Sequence, residues 1–293
     1  MNKIALLFTL FGLAGFSTAG RAEDVKPAKP IDLPFNTKAD EDDPFLSSGG
    51  LTLWYSCNES GKFDIMASHR RTLRAAWGKG EIPDSYIQSK VDDRGACLTR
   101  DGVYPQYLFF STLKDKDTKN FDLYVAVKQG RDKVFTEPTP VQAASSDADE
   151  RNPHLAAGGK HLYFSRKTKN GWRVFLCKRT QTKGATGFDD PRLVEELPPN
   201  YHHVALTPDG KTMYLQGPLE KNRTGLFVAT STAKGWSKPE PLTMLNHPEG
   251  AKGDRSPSLS ANGSFLYFSS DRPGGKGGLD IWVVPVEQLK LKR

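Results

Sequence analysis

Ser256-Pro257-Ser258-Leu259-Ser260-Ala261-Asn262-Gly263, followed by Leu266-Tyr267-Phe268-Ser269 and then by Leu279-Asp280-Ile281-Trp282, decides the architecture. The first stretch reads as a short strand running into a turn, the second as an aromatic strand, the third as another strand. The same triplet recurs five times. Its turns are Gly49-Gly50, Asp101-Gly102, Gly158-Gly159, Asp209-Gly210 and Asn262-Gly263, whose second residues are 52, 57, 51 and 53 positions apart. Gly-Gly, Asp-Gly and Asn-Gly suit two-residue hairpin turns, whose central residues need positive φ. The aromatic runs after them are Leu53-Trp54-Tyr55-Ser56, Leu108-Phe109-Phe110-Ser111, Leu162-Tyr163-Phe164-Ser165, Met213-Tyr214-Leu215-Gln216 and Leu266-Tyr267-Phe268-Ser269. None alternates polar with apolar, which predicts strands covered on both faces.

A fourth segment follows in most repeats, an aromatic residue, then proline, then an apolar residue: Phe135/Pro138/Val141, Phe188/Pro191/Val194 and Trp236/Pro239/Leu242. Proline fits an outer edge strand, where a missing N–H costs little. Trp77 to Ile87 is a looser version. Four short antiparallel strands per ~50-residue repeat make a propeller blade. The fifth repeat stops after its third strand, near Val284. Its missing strand is supplied at the other end of the chain by Pro27-x-x-Pro30-x-x-Leu33 with Asn36. The expected fold is therefore all-β: a five-bladed β-propeller of four-stranded antiparallel blades. Residues 27–36 close the ring onto the last blade, and blades start near 40, 92, 149, 200 and 253. A sixth blade would need ~50 further residues.

Composition agrees with this reading. Of 293 residues, 27 are glycine and 20 proline, and 10% are aromatic, which favours short strands and tight turns over a helical bundle. Lys3 followed by an apolar run from Ile4 to Phe16 reads as a secretory leader over 1–22, ending at Gly20-Arg21-Ala22. The mature domain is then 23–293, periplasmic or secreted, with no membrane span after the leader. Removing Lys3 and Arg21 lowers the formal charge from +7 to +5. Acidic and basic residues are interspersed, so no nucleic-acid arm is present. Cys57, Cys97 and Cys177 form neither a disulfide framework nor a metal spacing. One pair in an oxidising compartment and buried thiols both remain open readings.

The repeat columns resemble the WD40-like repeat of TolB-type propellers. Ser256 to Trp282 is the best copy and Asp40 to Met66 a second, while Gly225 and Gln216 depart from the pattern in blade four. The resemblance implies an exported protein, a binding or scaffolding module without chemistry of its own. It would present a charged channel mouth to an envelope protein or peptide, a small anionic ligand or a glycan.

Inner strands line the channel of a propeller. Four residues before the inner-strand leucines (Leu46, Leu98, Leu155, Leu206, Leu259) stand Asp42, Arg94, Arg151, His202 and Arg255. Five before stand Glu41, Asp93, Glu150, Tyr201 and Asp254. Asp42, Asp93, Arg94, Glu150, Arg151, His202, Asp254 and Arg255 are accordingly the candidate mouth residues. Guanidiniums there suit a carboxylate or phosphate. The structural reading of the same residues is that each acid accepts a bond from the next blade.

No cofactor or metal is expected. Gly274 to Gly278 lies between two strands and reads as a hairpin loop, not a phosphate loop. Asp115-x-Asp117 with Asn120 and Asp122 lacks the glycine and terminal glutamate of a calcium loop. Asp64, Asp122 and Asp280 share a column that reads as turn-binding. No Gly-x-Ser-x-Gly or His-Glu-x-x-His occurs. The alternative to a scaffold is a five-bladed-propeller glycoside hydrolase acting on furanosides. It would use Asp42 or Asp43, Asp93, Glu150 and Asp254, and it needs two carboxylates about 5–9 Å apart across a pocket. An arginine directly after most of these acids disfavours a general acid.

Overall fold

A computed structural model describes residues 29–30 (backbone only), 33–83, 86–113, 119–180 and 187–289. The leader at 1–22, and Asp115 and Asp117, lie outside the described residues. In chain order, β1 is Lys29–Pro30. Blade 1 holds β2 (Glu41–Leu46), β3 (Thr52–Cys57) and β4 (Asp64–His69). Blade 2 holds β5 (Asp93–Leu98), β6 (Gln106–Leu113), β7 (Phe121–Lys128) and β8 (Thr139–Pro140). Blade 3 holds β9 (Glu150–Ala156), β10 (His161–Thr168), β11 (Gly171–Lys178) and β12 (Arg192–Leu193). Blade 4 holds β13 (His202–Leu206), β14 (Thr212–Pro218), β15 (Thr224–Thr232), β16 (Gly235–Trp236) and β17 (Glu240–Pro241). Blade 5 holds β18 (Asp254–Leu259), β19 (Phe265–Ser270) and β20 (Asp280–Pro285). The fold is a five-bladed β-propeller of small antiparallel sheets.

β1 completes blade 5 by pairing with β20, Lys29 opposite Val283 and Pro30 opposite Trp282. The Gly274–Gly278 hairpin loop clasps the chain just after that strand. Gly278 N–H donates to the Ala39 carbonyl at 3.2 Å and Lys276 Nζ to the Leu33 carbonyl at 3.0 Å. A Cβ on Gly277 would lie 2.5 Å from Lys38 Cα, so only glycine allows this approach. Blade 1 differs from expectation, since its outer segment contributes the single bridge Ala67–Glu81 rather than a full strand.

The repeat turns also differ in kind from the expected two-residue hairpins. Gly50, Gly210 and Gly263 donate back to the carbonyls of Ser47, Thr207 and Ser260, so each glycine is the fourth residue of its turn. Its φ is +67° to +71°. Asp209 and Asn262 are not left-handed. Their side chains instead accept the N–H two residues on, Lys211 and Ser264, at 3.0 and 3.1 Å.

Each aromatic run is split by the strand period between two joints. Leu266 and Phe268 pack with Tyr214, Leu226 and Leu242 of blade 4. Tyr267 between them packs with Leu53 and Tyr55 of blade 1. Leu162 and Phe164 likewise join Phe109 and Leu123 of blade 2, while Tyr163 joins Val204 and Leu215 of blade 4. Each fully buried Phe or Leu contributes about 1.5–3 kcal/mol, so the ring is held chiefly by apolar burial between blades. Cys57, Cys97 and Cys177 are buried and unpaired, and burial, the largest influence on each thiol, pushes all three up to about 12. No helix among the described residues is long and apolar enough to cross a membrane.

Candidate functional site

Every inner strand enters the channel through the same distortion. Asp43, Gly95, Asn152, His203 and Ser256 occupy equivalent positions and have φ of +52°, +68°, +56°, +50° and +53°. At all five positions the pairing with the second strand slips around that residue, a β-bulge. The bulge turns the neighbouring side chains to opposite sides of the strand, so the two candidate columns part company.

The earlier column faces away from the channel. Thr37 N–H donates to Glu41 at 2.9 Å, Ser89 N–H to Asp93 at 2.9 Å and His247 N–H to Asp254 at 2.7 Å. Ser146 Oγ donates to Glu150. Arg166 pairs with Glu150 at 2.7 Å and Arg272 with Asp254 at 2.6 Å, each within its own blade. Asp93, Glu150 and Asp254 are therefore not channel-mouth residues. They tie the loop that leads into their strand, and none bridges to the next blade. Burial is the largest influence on Glu41, Asp93 and Glu150 and raises all three, Glu150 to about 6.

The other column meets at the axis. Arg94, Arg151, His202 and Arg255 line a cavity of about 370 Å3, within the range of small-ligand sites. Asp42 lies fully buried beneath it. Arg94 Nη2 reaches Asp42 at 2.7 Å, Arg255 Nε at 3.3 Å, and Ser256 Oγ donates to it at 2.6 Å. Burial would raise this carboxyl, but Arg255 and Arg94 more than offset it and hold Asp42 well below the usual carboxylate range. Here the expected bridging does occur, one acid of blade 1 joining blades 2 and 5.

Asp43, on the cavity wall, is met by side chains from all five blades. Ser56 Oγ donates to it at 3.0 Å, Arg94 Nε at 3.2 Å, Asn152 Nδ2 at 3.4 Å and Ser256 Oγ at 3.2 Å. His203 Nδ1 lies 3.7 Å from Asp43 Oδ1. Burial lowers the His203 pKa, and Asp43 and Asp42 oppose that only in part. Burial also pushes His202 well down, with His203 and the nearby arginines adding to the effect. Both rings are therefore neutral at neutral pH. Trp172 stacks on His202, centroids 5.1 Å apart, and gives the wall its large apolar surface.

The two-carboxylate geometry expected of a glycosidase is not what lines this cavity. Asp43 is the one acidic side chain among its described lining residues. Among the described residues no group of three or more His, Cys, Asp or Glu is arranged to hold a metal ion. Asp64 and Asp280 bind their preceding loops, through Ser60 Oγ and Lys276 N–H.

Sequence columns missed Asn152, His203, Ser256 and Trp172. The bulge position was signalled by its residue types, since Asp, Gly and Asn tolerate φ > 0 far better than branched residues. The partner column was hidden in the aromatic runs. Their terminal residues Ser56, Ser111, Ser165 and Gln216 accept the N–H of the bulge residue in the next blade: Gly95, Asn152, His203 and Ser256, at 3.0–3.2 Å. Gln216, a departure from the repeat, does the same work as serine.

The sequence matches no described protein family and no curated protein. Solved structures share the fold. A thermostable family-43 glycoside hydrolase superposes with a TM-score of 0.61 at 14% identity, covering 87% of this chain and 91% of that one. An α-L-arabinofuranosidase from Podospora anserina, in complex with cellotriose, gives 0.59 at 11% identity, covering 88% and 95%. A putative TolB from Agrobacterium tumefaciens gives 0.50 at 13% identity, covering 87% and 84%. At these identities the likeness establishes the fold alone. The TolB-type resemblance therefore holds only at the level of the propeller. The expectation of a protein without chemistry of its own is corrected, because the better-fitting five-bladed structures of matching length are glycoside hydrolases.

Proposed function

We propose that this protein is a carbohydrate-active enzyme that cleaves a glycosidic bond in the axial cavity, at the Asp43–His203 pair. One observation carries the reading. A single carboxylate is held at the cavity wall by donors from four blades, with a neutral imidazole from the remaining one 3.7 Å away. Such convergence is what a preorganised reaction centre requires, because the groups need not reorganise as charge develops. The left-handed backbone at Asp43 and His203 costs free energy that the surrounding ring must supply. The fold supports the reading, since propellers of this size carry glycosidase sites in the solved structures named above. The leader expected over 1–22 would place that action outside the cytoplasm, on an extracellular or periplasmic glycan.

The test is release of reducing ends from arabinan, arabinoxylan, polygalacturonate, alginate and hyaluronan by the full chain. At least one polymer is cut, and Asp43→Asn lowers the rate by about 10²-fold or more. Asparagine is tolerated at this backbone position, because Asn152 holds the equivalent place in blade 3 with φ +56°. No reducing ends from any polymer, with the chain folded, overturns the proposal.

A further inference from the structure

We propose that the cavity binds a 4-linked uronate glycan and breaks its glycosidic bond by β-elimination, with Arg255 holding the uronate carboxylate and His203 carrying the proton. This rests on the reading that the cavity cleaves a glycosidic bond.

The argument begins with what the cavity wall does not offer. Common glycoside hydrolysis needs two carboxyl groups about 5–9 Å apart, one to protonate the leaving oxygen and one to act on water or the sugar. Asp43 alone lines the wall among the described residues, and its oxygens already accept four hydrogen bonds. Elimination needs less. One proton carrier suffices if it takes a proton from carbon and returns it to the leaving oxygen, and a cation must hold the carboxylate that makes that carbon acidic.

Both parts are present. His203 lines the cavity with Nδ1 3.7 Å from Asp43 Oδ1, which places an imidazole beside the carboxylate. Four arginines line the cavity, but three are engaged. Arg94 is bound to Asp42 and Asp43, Arg151 to Asp149 through two bonds, and Arg223 to the carbonyls of His247, Pro248 and Glu249. Arg255 donates no hydrogen bond among the described residues. Its one charged contact is Nε to Asp42, and its side chain is 30% exposed. That free guanidinium edge matches a planar carboxylate in two parallel bonds. It also stabilises the charge that builds on the carboxylate as the proton leaves.

The step balances without water or oxidant. His203 takes the C5 proton, and the C5–H electrons form the C4=C5 bond. The C4–O4 bond breaks, and O4 leaves with a proton returned from the imidazolium. One chain becomes two, one ending in a reducing sugar and the other in an unsaturated uronate that absorbs in the ultraviolet.

Polygalacturonate, alginate and hyaluronan are incubated with the full chain, and ultraviolet absorbance and reducing ends are followed together. On at least one polymer the two rise in equal amounts. His203→Asn, which places the blade 3 residue at the same bulge, lowers that rate by about 10²–10⁴-fold. Arg255→Gln raises KM at least about tenfold, with both variants remaining folded. Reducing ends without the chromophore, on any polymer of the wider set, overturn the elimination and leave glycosidic cleavage standing. No cleavage of any polymer overturns both.

Discussion

At the joint between blades 3 and 4, Ser165 Oγ accepts the His203 N–H at 3.0 Å. At the joint between blades 5 and 1 the equivalent Ser269 Oγ is buried with no hydrogen-bond partner among the described residues, and the Asp43 N–H turns to Asp42 Oδ1 at 2.9 Å. Three further joints, through Ser56, Ser111 and Gln216, follow the Ser165 pattern. Where the repeat is obeyed, the inner strands are tied to one another. Where it is broken, two adjacent carboxylates are released towards the axis and become the centre of the charged network. A near-symmetric ring is a stability device, and its asymmetric seam is where the charged network gathers.

That comparison is open to direct attack. The largest effect should come from Asp42→Asn, which leaves Arg94 and Arg255 with one carboxylate fewer in a buried setting. A loss of about 3–5 kcal/mol in denaturant unfolding is expected. A change below about 1 kcal/mol would mean that the seam is not electrostatically held.

Next comes Glu150, of the column that faces away from the axis. Its folded pKa is raised to about 6, against 4.5 in the unfolded chain. Between those values the folded state holds a proton that the unfolded state has lost. Stability is therefore highest below about pH 4.5 and falls as pH rises through 6, by about 2 kcal/mol from this group. Asp42 behaves in the opposite sense, contributing stability at neutral pH that is lost only in strong acid. Unfolding of wild type and Glu150→Gln at pH 4 and pH 7 tests this. The variant should gain about 2 kcal/mol on wild type between the two, and a constant difference would show that Arg166 balances the burial of Glu150.

The smallest pair of effects is the sharpest. Ser165→Ala removes the acceptor of one backbone N–H and should cost about 1 kcal/mol. Ser269→Ala removes a hydroxyl with no partner and should lie within about 0.5 kcal/mol of wild type. Equal costs would show that the seam is not different after all.

Sequence reading reached further into the fold than into the site. Leu266 to Ser269 and its four counterparts located the blades, because spacing and residue type are one-dimensional properties. Arg94, Arg151, His202 and Arg255 could be placed near the axis by counting from the inner-strand leucines. Counting could not separate them from Asp93, Glu150 and Asp254 one residue away. In a regular strand adjacent residues take opposite faces, and which face meets the channel depends on the bulge at the next position. Asp43 was legible only as an alternative acid, and His203 fell in neither column.

Local periodicity, turn chemistry and the apolar aromatic runs were enough to dictate five radial sheets and a closing strand. Those signals act between residues close in the chain or repeat at a fixed interval. Convergence of Asp43, Arg94, Asn152, His203 and Ser256 joins residues up to 213 positions apart. No pattern along one strand encodes it. It arises only when apolar burial between blades closes the ring, and closure brings five left-handed bulges to one axis.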